Sequence, residues 1–249
     1  MDRNPYLTVE GLVLSKKNFS ETSLICDVLT PVHGKISVLA KGIRKPANKS
    51  FGIMQTGAAV EMELHHKRDS EWYILKCANL IELYHSTNYE TITYMQAGIE
   101  LFRQLIIDGH ESAEYYEILK HYLQYLSKIN RNAVAIFWRL LLRVMKMNGI
   151  EINWHKCLKC NTAVKEDCCY VSSLNGILCS RCSHQYPHEH VININAETVA
   201  VMNKIPVIGN HINNLDIKSD VSKLITRILL AHLNHNYDHH FHLKSLSFK

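Results

Sequence analysis

The 249-residue chain has no apolar run approaching the roughly 18 residues needed to span a bilayer. Its longest apolar stretch, Ala133 to Met147, is interrupted by Arg139, Arg143 and Lys146, so no membrane partner is expected. The first residues, MDRNPYLTVEG, lack a basic segment followed by an apolar one, and no secretory leader is expected. Catalytic constellations are missing too. A phosphate loop read from Gly42 would need glycine at Ala47 and lysine at Asn48. Pro187 to His190, PHEH, is neither a zincin nor a deaminase motif, and no G-x-S-x-G occurs. Cys168 and Cys169 are adjacent and do not form a C-x-x-C redox pair. These absences predict a protein that is not an enzyme. No internal repeat or low-complexity linker is present.

One further absence is local. No carboxylate lies between Asp27 and Glu61, and Lys35, Lys41, Arg44, Lys45 and Lys49 fall inside that gap. A formal net charge of +5 is too small by itself to indicate a nucleic-acid partner. An uncompensated cationic loop, K-G-I-R-K from Lys41 to Lys45 followed by Pro46, does suit a phosphate backbone. Lys16 and Lys17 would add supporting charge. The plainer reading of such a cluster is a solvated charged loop.

What the chain does have is cysteine in a pattern. Cys157, Cys160, Cys179 and Cys182 spell C-x2-C-x18-C-x2-C, the spacing of two knuckles that turn four sulfurs toward one tetrahedral metal. Four thiolates fill the shell, so one structural Zn2+ is expected, with no open position for chemistry. Buried thiols or disulfides are the alternative. With eight cysteines in all and half of them assigned to metal, a reducing compartment, the cytoplasm, is expected.

The fold class reads as α+β. Period-two alternation marks five strands in LTVEGLVLS, TSLICDVLT, GKISVLAKG, AAVEMELHH and EWYILKCANLIEL, with turns at Pro31 to Gly34 and Lys67 to Ser70. Five short strands in roughly 80 residues match an OB-fold, though an SH3-like or other small barrel has the same strand count. After Ser86 the period becomes helical: Tyr94 to Asp108, a second helix capped by Ser112, and Ala133 to Asn148 stopped by Gly149. Further helices are expected over Ala196 to Ile205, capped by Asn195, and over about Asp220 to Asn236. Domains follow: 1–83 a barrel, 84–150 and 187–249 helical, 151–186 a zinc-binding insertion. Phe137 and Trp138 read as core. His232, His235 and His239 could share one helical face, but solvated histidines are expected there over a second metal site.

The segment ETSLICDVLTPVHGKISVLAKGIRKP, Glu21 to Pro46, resembles the signature of the bacterial DNA repair protein RecO family: E-T-S, T-x-x-x-G-[KR], then A-K-G-x-R-[KR]-P. FGIMQTG is similar to the family's G-x-L-Q-P, departing at Met54 and Thr56. FWRLLLRVMKMNGIEINWHKCLKC and the ending HLNHNYDHHFHLKSLSF resemble its central helix with first knuckle and its L-K-S-x-x-F close. Glu90 to Arg131 matches only as generic helix. The resemblance implies an OB-fold joined to a helical domain with a zinc-ribbon-like insertion. It also implies a recombination mediator that binds single- and double-stranded DNA and anneals strands coated by single-stranded-DNA-binding protein (SSB). With RecR, such a protein helps RecA load. The family's helical domain receives the acidic, apolar C-terminal tail of SSB; here Arg139 and Arg143, with Leu140, Val144 and Met147 beside them, are the candidate seat. A nucleoid-associated cytoplasmic location goes with that role. Two other classes remain: an RNA-binding OB-fold protein with a structural zinc module, and a zinc- or thiol-dependent enzyme.

Overall fold

The structure is a computed structural model that describes residues 6–45, 48, 50, 52–66, 70–107, 109–186, 191–210, 212–237 and 240–247. Lys49, Lys67 to Asp69, the Pro187 to His190 motif and His239 lie outside the described residues. The chain forms two compact units, Met1–Ile129 with Leu243–Lys249, and Asn130–His242.

The first unit is built on strands β1 (Tyr6–Asn18), β2 (Leu24–Thr30), β3 (Gly34–Ala40), β4 (Ala58–His66) and β5 (Trp72–Leu83). They close into a barrel in the order β1-β2-β3-β5-β4, with β4 returning to β1. Only β3 and β5 run parallel. This is the OB topology, which decides among the small barrels that strand count leaves open. Alternation places Val9, Val13, Leu24, Cys26, Val28, Ile36, Val38, Ala40, Val60, Met62 and Leu64 in one continuous interior. Each fully buried large aliphatic of this set contributes roughly 1.5–3 kcal/mol.

The barrel's other face is not left to water. Leu12, Leu14, Leu29 and Leu39 are buried as well, and helix α2 (Ser112–Leu126) lies against β1, β2 and β3. Glu10 of β1 accepts hydrogen bonds from Tyr116 and, at 3.0 Å, from Lys120 of α2. Burial raises the Glu10 carboxyl, but those two donors more than offset it and leave its pKa below the ordinary value. Helix α1 (Tyr89–Gln104) packs on α2, and a 3-10 turn at Lys244–Leu246 returns to α1, where Ser245 donates to Glu100. The compact unit thus extends well past the barrel's last strand, and α1 and α2 do not group with the helices after residue 130.

Two helix starts differ from the sequence reading. α1 begins at Tyr89, not Tyr94, because the Asn88 side chain accepts from the Thr91 N–H at 3.0 Å and caps a turn of β-branched residues. It also ends before Ile106, which is 82% exposed. α2 takes Glu111 as its N-cap; the Ser112 hydroxyl instead donates to the carbonyls of Pro31 and Gly109 at 2.9 and 2.8 Å.

The second unit centres on α3 (Ala133–Met147), with α5 (Ala196–Met202), capped by Asn195, and α6 (Ser219–Asn236). Between α3 and α5 lies a sheet of three four-residue strands, β6 (Cys168–Val171), β7 (Gly176–Cys179) and β8 (Val191–Ile194), in the order β7-β6-β8. A short helix, α4 (Ser180–Ser183), follows β7. Because β8 pairs with β6 along its whole length, the module does not stop at residue 186, where the insertion was expected to end.

Candidate nucleic-acid rim, tail cleft and metal centre

The loop after β3 is shaped to present charge. Gly42 has φ +66°, a left-handed conformation that glycine adopts without a Cβ clash, and Ile43 turns inward to join the barrel core. Lys41, Arg44 and Lys45 are thereby left exposed around one buried anchor. The Arg44 N–H donates to Thr22 O at 3.0 Å and its guanidinium to Ser20 O at 3.3 Å, tying this loop to the one joining β1 and β2. Lys16 and Lys17, at the end of β1, are exposed too, and Lys16 reaches the Gln55 side chain. With α2 lying on β1 to β3, Lys41, Arg44 and Lys45 in this loop and Lys16 and Lys17 at the end of β1 form an accessible cationic surface of the barrel.

Lys35 is placed differently. Its ammonium donates to Arg103 O at 2.8 Å and to Leu105 O, the last carbonyls of α1. Burial lowers its pKa. It is a helix C-cap, and its amine points at α1 and not at solvent. Two side chains that the sequence did not single out stand on the same rim as Arg44: Phe19, in the β1–β2 loop, and Trp72, at the start of β5. Their ring centroids are 5.2 Å apart at 78°. No local signal pairs them, because they are brought together only by barrel closure.

In the second unit, Arg139 and Arg143 do line an open cleft of about 710 Å3, together with Leu142, Lys146, Ile152 and Trp154. Leu140 and Val144 do not: they are 3% and 0% exposed and belong to the core. Met147 is half-buried and is not among the cleft's lining residues. The correction follows from helical geometry, since 139, 142, 143 and 146 share one stripe whereas 140 and 144 share the opposite one. Trp154 is 5% exposed, and its indole N–H has no hydrogen-bond partner among the described residues.

The cysteine site is assembled from two knuckles. The Cys157 N–H donates to Thr162 O, and Asn161, with φ +57°, donates to Cys157 O, both at 2.9 Å. Leu158 N–H bonds Ile177 O at 2.9 Å, docking the first knuckle on β7; a Cβ on Gly176 would come within 2.3 Å of Leu158. Cys179 ends β7 and Cys182 sits in α4. All four sulfurs lie within 4.8 Å of one another, and Cys160 and Cys179 are 3.7 Å apart. A tetrahedron with metal–sulfur bonds of about 2.3 Å requires sulfur pairs about 3.8 Å apart, so the donor set fits a tetrahedral thiophilic ion. Protonation agrees. The Thr162 hydroxyl and N–H pull the Cys160 thiol down to about 6, while desolvation and neighbouring sulfurs push Cys182 up to about 12. Four sulfurs this close could all ionise only with a cation among them. Cys168 and Cys169 are buried in β6, and burial pushes Cys168 up to about 12.

The histidine-rich tail proves partly internal. His232 is 1% exposed; its Nε2 lies 2.7 Å from Ile150 O and its Nδ1 3.1 Å from the Tyr170 hydroxyl. That network assigns Nε2–H as donor and Nδ1 as acceptor. Both nitrogens are engaged, so His232 is neither a metal ligand nor a solvated group. Burial lowers its pKa. No helix of the described residues is long and apolar enough to cross a membrane.

Comparison with known proteins matches two family models end to end: "Recombination protein O N terminal" over residues 1–84 and "Recombination protein O C terminal" over 86–246. The chain is 27% identical over 180 residues to a DNA repair protein RecO of Acetivibrio thermocellus, covering 71% of this chain and 70% of that protein. It is 28% identical over 150 residues to one of Prosthecochloris aestuarii, covering 59% and 57%. It is 23% identical over 230 residues to one of Exiguobacterium sibiricum, covering 90% and 89%.

Proposed function

The chain belongs to the recombination protein O family, and from this premise we propose that it is a non-enzymatic recombination mediator of DNA repair. In this reading it binds single- and double-stranded DNA through the barrel rim and anneals complementary strands. With RecR, it helps RecA load onto SSB-coated DNA, in the cytoplasm and at the nucleoid. The observation that carries the reading is the rim itself: Lys41, Arg44 and Lys45 exposed around buried Ile43 in a stretch free of carboxylates. Annealing needs the repulsion between two phosphate backbones neutralised while base edges stay free, which backbone-directed Lys and Arg achieve without making or breaking a bond. Lys49 remains part of this proposal by sequence; Lys35 has a structural duty that accounts for it.

The cleft on α3 is proposed as the seat of the SSB tail. An acidic, apolar peptide end calls for a hydrophobic surface edged by cations. Arg139, Arg143 and Lys146 provide the charge and Leu142 and Trp154 the apolar wall. Zn2+ is proposed as the ion held by Cys157, Cys160, Cys179 and Cys182, where it would cross-link the two knuckles and perform no catalysis.

The deciding experiment is annealing of complementary strands coated with SSB. Wild type should accelerate it. R139E/R143E should lose binding of a labelled SSB tail peptide and fail on coated strands while still annealing bare ones. Failure of the wild type on both substrates, or tighter binding to RNA than to DNA of the same sequence, would defeat the proposal.

A further inference from the structure

We propose that Phe19 and Trp72 form a base-stacking platform that makes the basic rim a single-strand site; this rests on the DNA-binding reading given above. Phe19 comes from the loop joining β1 to β2, and Trp72 is the first residue of β5, directly after the loop joining β4 to β5. In OB barrels these are the loops that flank a bound oligonucleotide. Phe19 is 50% exposed although its loop neighbours, Asn18 and Ser20 to Ser23, are all polar or charged. A large apolar ring left in water there has no packing duty in the barrel interior. Trp72 is half-buried, while the adjacent Tyr73 packs against the core, as alternation requires. The rings meet edge-on at 78°, which leaves faces that a flat stack would close.

Both rings are held in place from the backbone. Phe19 N–H donates to Ser23 O at 3.0 Å, closing the loop on itself. The Ser70 hydroxyl donates to Trp72 O at 2.9 Å and accepts from Trp72 N–H at 3.1 Å. The charge stands next to them: Arg44 bonds the carbonyl of Ser20, the residue after Phe19, and Lys16 and Lys17 lie just before Phe19 in β1. Glu21, Asp69 and Glu71 are the carboxylates of the same two loops, and Glu21 and Glu71 are exposed.

Phosphate contacts are available from duplex and single strand alike, so the cations alone do not discriminate between them. Base faces are available only where bases are unstacked, and each base on an aromatic ring contributes substantially and without sequence preference. Stacking engages the face and leaves the Watson–Crick edge open for a complementary strand, as annealing demands.

The test measures binding of the full-length, metal-loaded protein to three labelled 20-mers by fluorescence anisotropy: mixed-sequence single strand, duplex, and an abasic strand of equal phosphate count. F19A/W72A should weaken single-strand binding by roughly 25-fold, about fivefold per ring, and change duplex and abasic binding by no more than about twofold. Trp72→Phe should retain most of the affinity and Trp72→Leu should not, which separates stacking from bulk. Saturating single strand should quench tryptophan emission in wild type more than in W72F. An equal loss on all three ligands, or an unchanged single-strand affinity in folded F19A/W72A, overturns the inference. K41A/R44A/K45A serves as the control on the underlying reading. If it loses both single strand and duplex while F19A/W72A loses neither, only the stacking platform fails; if it loses nothing, the rim itself is not the DNA site.

Discussion

The barrel and the cysteine module reach order by opposite means. The barrel's strands run 7 to 13 residues, close on themselves and enclose an interior of more than ten side chains. The module's three strands have four residues each, and its first knuckle adds one isolated β-bridge, Lys156–Ala163. Sheets that short cannot offset their own chain entropy. The barrel can stand on burial; in the module, an ion joining the four sulfurs would supply what its short strands do not.

The largest expected effect follows from that contrast. Cys179→Ser, or removal of the metal by a chelator, should lower the melting temperature of the second unit by roughly 15 °C, since structural-site binding energy is folding energy. Zinc content by elemental analysis should fall from one per chain to none. Circular dichroism should still show the barrel's β-signal. A chelated protein that melts like the holo form would remove the distinction between the two regions.

Next in size is the reverse experiment. Met62 is fully buried in the barrel, so Met62→Ala should cost about 2–5 kcal/mol by loss of packing and creation of a cavity. Denaturant titration reads the loss, and metal stoichiometry should not change. Coupled loss of zinc in a protein with a still-folded second unit would contradict independent support.

Acid should separate the regions as well. His232, buried and neutral, has a pKa below 6.5, so the unfolded chain takes up a proton that the folded one resists as pH falls below 6.5. Its penalty is absent above pH 6.5 and grows below it, by at most about 1.4 kcal/mol per pH unit. Glu10 in the barrel unit has a depressed pKa, so its contribution is present above 4.5 and is lost as pH falls through the lower folded value. Between pH 6.5 and 4.5, therefore, His232 weakens only the second unit. Stability curves of wild type and His232→Asn should converge as pH falls through this window; parallel curves would sink the assignment.

Much of this arrangement is legible in the chain, and the limits have physical causes. Alternation marks the five strands because one face of each is buried, and C-x2-C spacing marks the cysteine cluster because a knuckle is a local structure. α3 was harder to orient. It is apolar on most faces, so periodicity did not separate the core positions 140 and 144 from the cleft positions 142 and 146. Asn88 does not stand out as a cap in the sequence, because Thr91 and Thr93 weaken the helical pattern just after it. The Phe19–Trp72 pair, the Trp154 wall and the His232 bridge are each made by residues more than 50 positions from a partner, or by burial alone. No local pattern carries such contacts.

The smallest effect sharpens the boundary between charge that binds and charge that builds. Lys35 sits in the same carboxylate-free stretch as Lys41, and sequence alone gives both the same role. Its ammonium, however, is spent on Arg103 O and Leu105 O at the end of α1, where a cation meets the negative end of the helix dipole. Lys35→Met keeps the aliphatic stem and removes that cap. Stability of the barrel unit should fall by about 1 kcal/mol, the scale of one hydrogen-bonded cap, while the salt dependence of DNA binding stays at its wild-type slope. Lys41→Met should do the opposite, leaving stability within about 0.5 kcal/mol and making the log–log salt slope shallower by roughly 0.7 to 0.9. A shallower slope in the Lys35 variant would return that residue to the DNA surface and show that the amine leaves α1 when a phosphate is offered.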